Sequence, residues 1–172
     1  LMLRLDANGA FQPEHAMQKL NRLSDYNIHS IEQPIAPGQR KEMTTLCKTS
    51  PIPIALDEEL IGINSNQEKV DLIQEIKPQY IIIKPSLVGG WQGADQWVSI
   101  AERHAVDWWA TSALESNIGL NAIAQWVSTK QINLPQGLGT GGLFTNNIDT
   151  PLYLRGQKMG FDFNKLSDFT LK

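Results

Sequence analysis

Ile52-Pro53-Ile54-Ala55-Leu56-Asp57, then Asn66-Gln67-Glu68-Lys69-Val70-Asp71-Leu72-Ile73-Gln74-Glu75-Ile76, then Tyr80-Ile81-Ile82-Ile83-Lys84 follow one another along the middle of the chain. The outer two segments are short and almost wholly apolar, and each ends on a charged residue. Continuous rather than alternating apolar character is what a parallel strand covered on both faces requires. The segment between them carries apolar residues at 70, 73 and 76, a helical period, and it stops before Pro78. Strand, helix, strand is a βα unit, the crossover that joins neighbouring parallel strands.

The same unit recurs on either side. Leu1–Asp6, Ser30–Gln33, Asp107–Ser112 and a weaker segment at Leu134–Gly139 also read as strands. Their terminal positions Asp6, Glu32, Asp57, Lys84, Ser112 and Gly139 are separated by steps of 25 to 28 residues. Helical periodicity fills the gaps at Pro13–Leu23 (apolar at 16, 17, 20 and 23), Asp95–His104 and Leu120–Thr129. A doubly wound sheet would place a glycine-rich phosphate loop after its first strand, and Asp6-Ala7-Asn8-Gly9 is not one. A (β/α) barrel suits the pattern better, because polar residues at successive strand C-termini converge there on one mouth. A closed barrel has eight strands and about 250 residues, whereas six units fill these 172 residues. The expected fold is therefore α/β, a partial TIM-like barrel over residues 1–150 that opens directly inside a strand. Residues 151–172, including Gly160-Phe161-Asp162-Phe163, form a C-terminal extension. Unpaired strand edges in such a barrel invite a second chain, so a homo-oligomer or strand exchange is expected.

Composition narrows the function classes. Fifteen basic and 18 acidic residues give a net charge of −3, with no chain-wide attraction to nucleic acid or anionic membrane. The lone Cys47 supports neither an internal disulfide nor a cysteine-rich zinc site. No apolar run approaches the ~18 residues of a membrane span, and Leu1–Asp6 lacks the features of a signal peptide. A cytoplasmic protein is expected.

The chemistry is carried by the strand ends. Asp6, Glu32 and Asp57 close three consecutive strands, and carboxylates so gathered repel unless a cation lies between them. Hard oxygen donors with open positions suit Mg²⁺. Lys84 closes the next strand, where its charge can face a metal-bound anion. Strand alternation places Glu58 on the face opposite Asp57, so only one of the two aims inward. Asn8 supports the site by a hydrogen bond. His15, His29 and His104 are not at strand ends and read as surface or packing residues. Gly89-Gly90 reads as a strand-to-helix turn, and the five tryptophans as packing residues.

Leu5-Asp6-Ala7-Asn8, Ile31-Glu32-Gln33-Pro34, Ala55-Leu56-Asp57-Glu58 and Ile83-Lys84-Pro85 resemble the barrel motifs of the enolase superfamily, in its muconate-lactonising subgroup. The stretches Lys84–Gly90, Ser112–Leu120 and Gly137–Gly141 look like those of a dehydratase branch serving menaquinone biosynthesis. The resemblance runs to about Leu152 and aligns this chain with barrel strands three to eight, without the capping domain and the first two strands. It implies that Asp6, Glu32 and Asp57 bind Mg²⁺ and that Lys84 stabilises an anion by its charge. It also implies that the loops bearing Ser112, Glu115, Gly139 and Thr140 meet a small-molecule carboxylate substrate. The branch draws its base from a second-strand Lys-x-Lys, which this sequence does not contain, so the chain alone is expected to be nearly inactive. An epimerase, racemase or cycloisomerase reaction, or a non-catalytic barrel piece, is the alternative.

Overall fold

The structure is a computed structural model, which describes residues 2–165; the end of the expected C-terminal extension lies outside them. Five βα-type repeats appear in chain order: β1 (Leu3–Asp6), α1 (Pro13–Leu23), β2 (Ile28–Glu32), α2 (Arg40–Thr49), β3 (Ile54–Leu56), α3 (Asn66–Ile76), β4 (Tyr80–Ile83), α4 (Gly90–Arg103), β5 (Asp107–Ala110) and α5 (Asn117–Ser128). A hairpin, β6 (Leu152–Arg155) and β7 (Lys158–Phe161), follows. The first five strands form one sheet in the order β1-β2-β3-β4-β5, curled as part of a barrel. The chain divides into two compact units, Leu1–Trp109 and Ala110–Lys172.

In the first unit the core is made by the strands and the inner helix faces. Ile54, Ala55, Leu56, Ile81, Ile82 and Ile83 are completely buried, and each Leu or Ile so buried contributes roughly 1.5–3 kcal/mol. Against them pack Ala16 and Leu20 of α1, Met43 and Leu46 of α2, Leu72, Ile73 and Ile76 of α3, and Ala94, Trp97 and Ala101 of α4. Local chemistry fixes the helix ends. Pro13 occupies the first turn of α1, where its missing N–H costs nothing. Ser65 and Glu68 form a reciprocal capping box at the start of α3. Lys77 ends that helix in a left-handed conformation, φ 53°, just before Pro78.

Register explains why the strand ends meet. Asp6 is level with Glu32, and Glu32 with Ala55. Asp57 is therefore two residues further along than the neighbour of Glu32. Leu56 is level with Ile81, so Lys84 is again two residues beyond the neighbour of Asp57. Offsets of zero and two keep side chains on one face of a pleated sheet. Asp6, Glu32, Asp57 and Lys84 thus share a face and an end. Below them on that face, the Arg4 guanidinium lies 3.9 Å from the centre of the Trp109 ring, and Tyr80 and Trp109 pack with ring centres 5.4 Å apart.

The sixth expected strand, Leu134–Gly139, is reduced to a single bridge in which Thr111 pairs with Gly137. Pro135 has no N–H to offer a ladder, and the side chain of Gln136 takes the place of backbone by accepting the Ala110 N–H at 2.7 Å. Helix α2 was not marked by periodicity and α4 begins five residues before Asp95. Residues 152–161 form a regular antiparallel hairpin. Among the described residues no helix is long and apolar enough to cross a membrane.

Gly93, in the first turn of α4, touches the preceding loop so closely that a Cβ there would lie 1.9 Å from the Val88 carbonyl oxygen. Gly93→Ala must push α4 off that loop, and overpacking of this kind costs about 1–3 kcal/mol. Urea denaturation should show a lowered midpoint for Gly93→Ala and an unchanged one for Gly142→Ala, where a Cβ meets nothing within 4 Å. Equal midpoints for wild type and Gly93→Ala would contradict this packing.

Candidate active site at the strand ends

Lys84 is the hub of the site. Its ammonium forms an ion pair and hydrogen bond with Asp57 Oδ2 and lies 3.8 Å from Glu32 Oε1. Asp57 is 2% exposed, so its carboxylate depends on that ammonium for compensation. Burial alone would lower the Lys84 pKa. The hydrogen bond and charge of Asp57, with the charges of Glu32 and Glu58, outweigh burial and hold it above the ordinary lysine value. Glu32 moves the other way from a typical carboxylate. Burial, the charges of Asp6 and Asp57, and a hydrogen bond shared with Asp57 push its pKa up to about 8, against the opposing pull of Lys84.

Asp6 is more exposed. Its carboxylate accepts the backbone N–H of Asn8 at 2.8 Å and the Asn8 side-chain amide at 3.2 Å. Asn8 is thus drawn to Asp6 by a turn in which Asn8 itself adopts φ 49°, a conformation Asn tolerates.

Glu58 departs from the strand-alternation expectation. The extended chain ends at Leu56, and Glu58–Leu60 form a 3₁₀ turn, so a period of two no longer applies. The Glu58 carboxyl is raised by burial and by the charges of Asp57 and Asp6, against its own backbone hydrogen bond and Lys84. It therefore belongs to the same cluster, and its Oε2 is buried without a hydrogen-bond partner. Glu59, the next residue, turns instead into the protein, where its carboxylate accepts the Gly38 N–H at 3.0 Å and the Gln33 amide at 3.3 Å. Neither role was legible without the turn. A polar residue between the Glu32 carboxylate and Pro34 was the only sequence sign that Gln33 is a buried bridge.

The remaining expected residues lie in the second unit. Ser112 Oγ and Thr140 Oγ1 share a hydrogen bond, and Ser112 Oγ also accepts the Leu114 N–H at 3.2 Å. Glu115 closes its loop by accepting the Ala113 N–H at 2.8 Å. Gly139, beside Thr140, has open space where a side chain would be. Of the histidines, His15 is on α1, His104 caps α4, and His29 packs against Tyr80 with ring centres 5.0 Å apart.

The donor chemistry at the strand ends suits a hard divalent cation: three carboxylates from adjoining strands, one of them held protonated to about pH 8 by burial and by the charge of the other two. As the side chains lie, no group of three His, Cys, Asp or Glu among the described residues is close enough to enclose a metal ion. The ammonium of Lys84 holds the place between Glu32 and Asp57, and a cation there competes with it for the same oxygens.

Residues 1–141 match the enolase C-terminal domain-like family model. The o-succinylbenzoate synthase of Desulfotalea psychrophila (strain LSv54 / DSM 12343) is 53% identical over 160 residues, which are 93% of this chain and 43% of that protein. The crystal structure of MenC from Desulfotalea psychrophila LSv54 superposes with a TM-score of 0.90 at 52% identity, over 93% of this chain and 45% of that one. The L-Ala-D/L-Glu epimerase of Bacillus subtilis (strain 168) is 26% identical over 131 residues, 75% of this chain and 35% of that protein. The chain spans less than half the length of these curated relatives.

Glu32 gives a pH signature. Between its ordinary value of 4.5 and about 8, the folded chain holds a proton that the unfolded chain has released. Stability therefore falls as pH rises through that window. In the absence of divalent cations, the melting temperature of Glu32→Gln should decline less than that of wild type between pH 5 and pH 8. Parallel profiles for the two proteins would remove Glu32 as the source.

Proposed function

The chain belongs to the enolase C-terminal domain-like family, and from that premise we propose that it carries the metal-binding and lysine side of an o-succinylbenzoate synthase active site. The observation that carries the proposal is the gathering of Asp6, Glu32, Asp57 and Lys84 on one face at one end of a single sheet. The 53% identity to a curated o-succinylbenzoate synthase supports this choice of substrate class. In this reading 2-succinyl-6-hydroxy-2,4-cyclohexadiene-1-carboxylate loses the proton beside its carboxylate and then the ring hydroxyl as hydroxide. The net loss is one water, and the product is aromatic 2-succinylbenzoate.

Enzymes of the enolase superfamily generally use a divalent metal. Asp6, Glu32 and Asp57 would hold Mg²⁺, which would supply positive charge that makes a C–H bond beside a carboxylate more acidic. Lys84 adds a second positive charge. Its partners hold its pKa above the ordinary value, so it remains an ammonium at neutral pH and stabilises the charge that develops when the proton leaves. In this reading its part is electrostatic, as a charge rather than as the base. That separates this reading from epimerisation, which asks each of two opposed lysines to give and take a proton. Within the second unit, the Ser112–Thr140 pair offers hydroxyl groups and Gly139 leaves open space beside them.

The base is a further requirement. The sequence contains no Lys-x-Lys, and a missing general base lowers turnover by about 10²–10⁴-fold. The chain assayed by itself should dehydrate the substrate at least that much more slowly than an intact synthase, while retaining ligand recognition.

Calorimetric titration with 2-succinylbenzoate tests this without relying on turnover. Binding should require Mg²⁺, disappear with EDTA, and be lost in Asp57→Asn, whereas L-Ala-L-Glu should not bind. Tighter binding of the dipeptide would favour the epimerase reading. Absence of both Mg²⁺ and ligand binding in a folded chain would leave a barrel piece without a working site.

A further inference from the structure

Gln33 and Glu59 are buried polar residues in the first unit that lie outside the four-residue cluster. Gln33 is fully buried and Glu59 is 6% exposed. The Gln33 amide makes four hydrogen bonds. Its Nε2 donates to the Ile35 carbonyl at 3.0 Å and to Glu59 Oε2 at 3.3 Å. Its Oε1 accepts the backbone N–H groups of Asp57 at 3.2 Å and Glu59 at 3.4 Å. Both amide hydrogens and both oxygen lone pairs are thereby used. Glu59 is held in turn by the Gly38 N–H, at 3.0 and 3.2 Å to its two oxygens. Among the described residues no cation pairs with it.

A buried carboxylate without a counter-charge is expensive, and packing alone would be served as well or better by apolar side chains. The location shows what the arrangement does. Gln33 directly follows Glu32, and the amide it grips belongs to Asp57. One side chain therefore links the residue after the first buried carboxylate to the backbone of the second, across the gap between β2 and β3. Glu59 clamps the far end of that link to the loop at Gly38. Rotation of either strand end changes the Glu32–Asp57 separation only by breaking these bonds.

We propose that Gln33, braced by Glu59, is a positioning residue that sets the spacing of the Glu32 and Asp57 carboxylates and thereby the affinity of the site for a divalent cation. The inference rests on the reading of Asp6, Glu32 and Asp57 as cation ligands. Hydrogen-bond partners one step behind metal ligands typically control about 10–100-fold in metal affinity.

The test is calorimetric titration of the full chain with Mg²⁺ alone, together with melting temperatures recorded without metal. Gln33→Glu keeps an oxygen for the Asp57 N–H but sets a second carboxylate against Glu59, and the Mg²⁺ Kd should rise about tenfold or more. The double exchange Gln33→Glu/Glu59→Gln restores the bond between side chains 33 and 59 with donor and acceptor reversed, giving up only the donor to the Ile35 carbonyl, and should return the Kd to within about threefold of wild type. A purely structural role would instead lower the melting temperature of Gln33→Glu and leave its Kd unchanged, which overturns the inference alone. Failure of wild type to bind Mg²⁺ overturns the cation reading, and the inference with it. Should Gln33→Glu not fold, the double variant decides: a wild-type Kd supports the bridge, and a Kd raised about tenfold in folded protein refutes it.

Discussion

The site depends on the contact between the Lys84 ammonium and the buried Asp57 carboxylate. Three strands in succession end in acids, and parallel register with offsets of zero and two sends all of them to one side. Without a positive charge the arrangement would be untenable, since burial strengthens repulsion among Glu32, Asp57 and Glu58 as surely as it strengthens attraction. Glu32 displays the remaining imbalance: even with Lys84 beside it, its carboxyl keeps a proton to about pH 8. Burial is the larger cause of that shift, and the charges of Asp6 and Asp57 add to it. Oxygen donors gathered at one end of the sheet are what a hard divalent cation takes, and that chemical argument is independent of the likeness to any relative.

The same contact decides what Lys84 can do. A lysine acts as a base when its surroundings make the ammonium unstable. Burial pulls Lys84 that way, but three carboxyl groups overrule it. While those carboxylates face it, the residue is held as a fixed charge. Dehydration through a developing carboxylate dianion needs such a charge opposite the base, whereas racemisation needs a lysine free to exchange protons. Metal ligands common to a whole superfamily do not separate these reactions.

How much of this was legible in the sequence follows from the range over which each signal acts. The strands Tyr80–Ile83 and Ile54–Leu56 and the helix Asn66–Ile76 were plain, because apolar runs, periodicity and a terminating proline are local properties. The phase of the strand ends was legible too, since a near-constant step repeats the geometry of one unit. The direction of Glu58 was not, because it turns on where β3 stops and a 3₁₀ turn begins, and Asp57-Glu58-Glu59 continues the chain with no proline or glycine to mark the change. The weak strand at Leu134–Gly139 failed for a related reason: Pro135 and the Gln136 side chain displace the backbone pairing that a ladder needs. Gln33 was hidden most deeply, as its four partners lie at residues 35, 57 and 59.

The failures at Glu58 and Gln33 share a location. Both lie just past the end of a strand, where the repeating architecture stops dictating conformation and side chains begin to hold loops in place. In a barrel that is also where chemistry is sited. The strands bring acids to within reach of one another by register, which is coarse: a pleat fixes face and level, but not the separation of two carboxyl groups to a fraction of an ångström. Finer placement has to come from bonds between loops, and such bonds need buried polar atoms whose partners are far apart in sequence. Gln33 and Glu59 have that form, with a fully saturated amide on one side and a carboxylate held by a backbone N–H on the other. The step from a fold that can gather acids to a site that can hold an ion is therefore made by residues that carry no charge toward the ion.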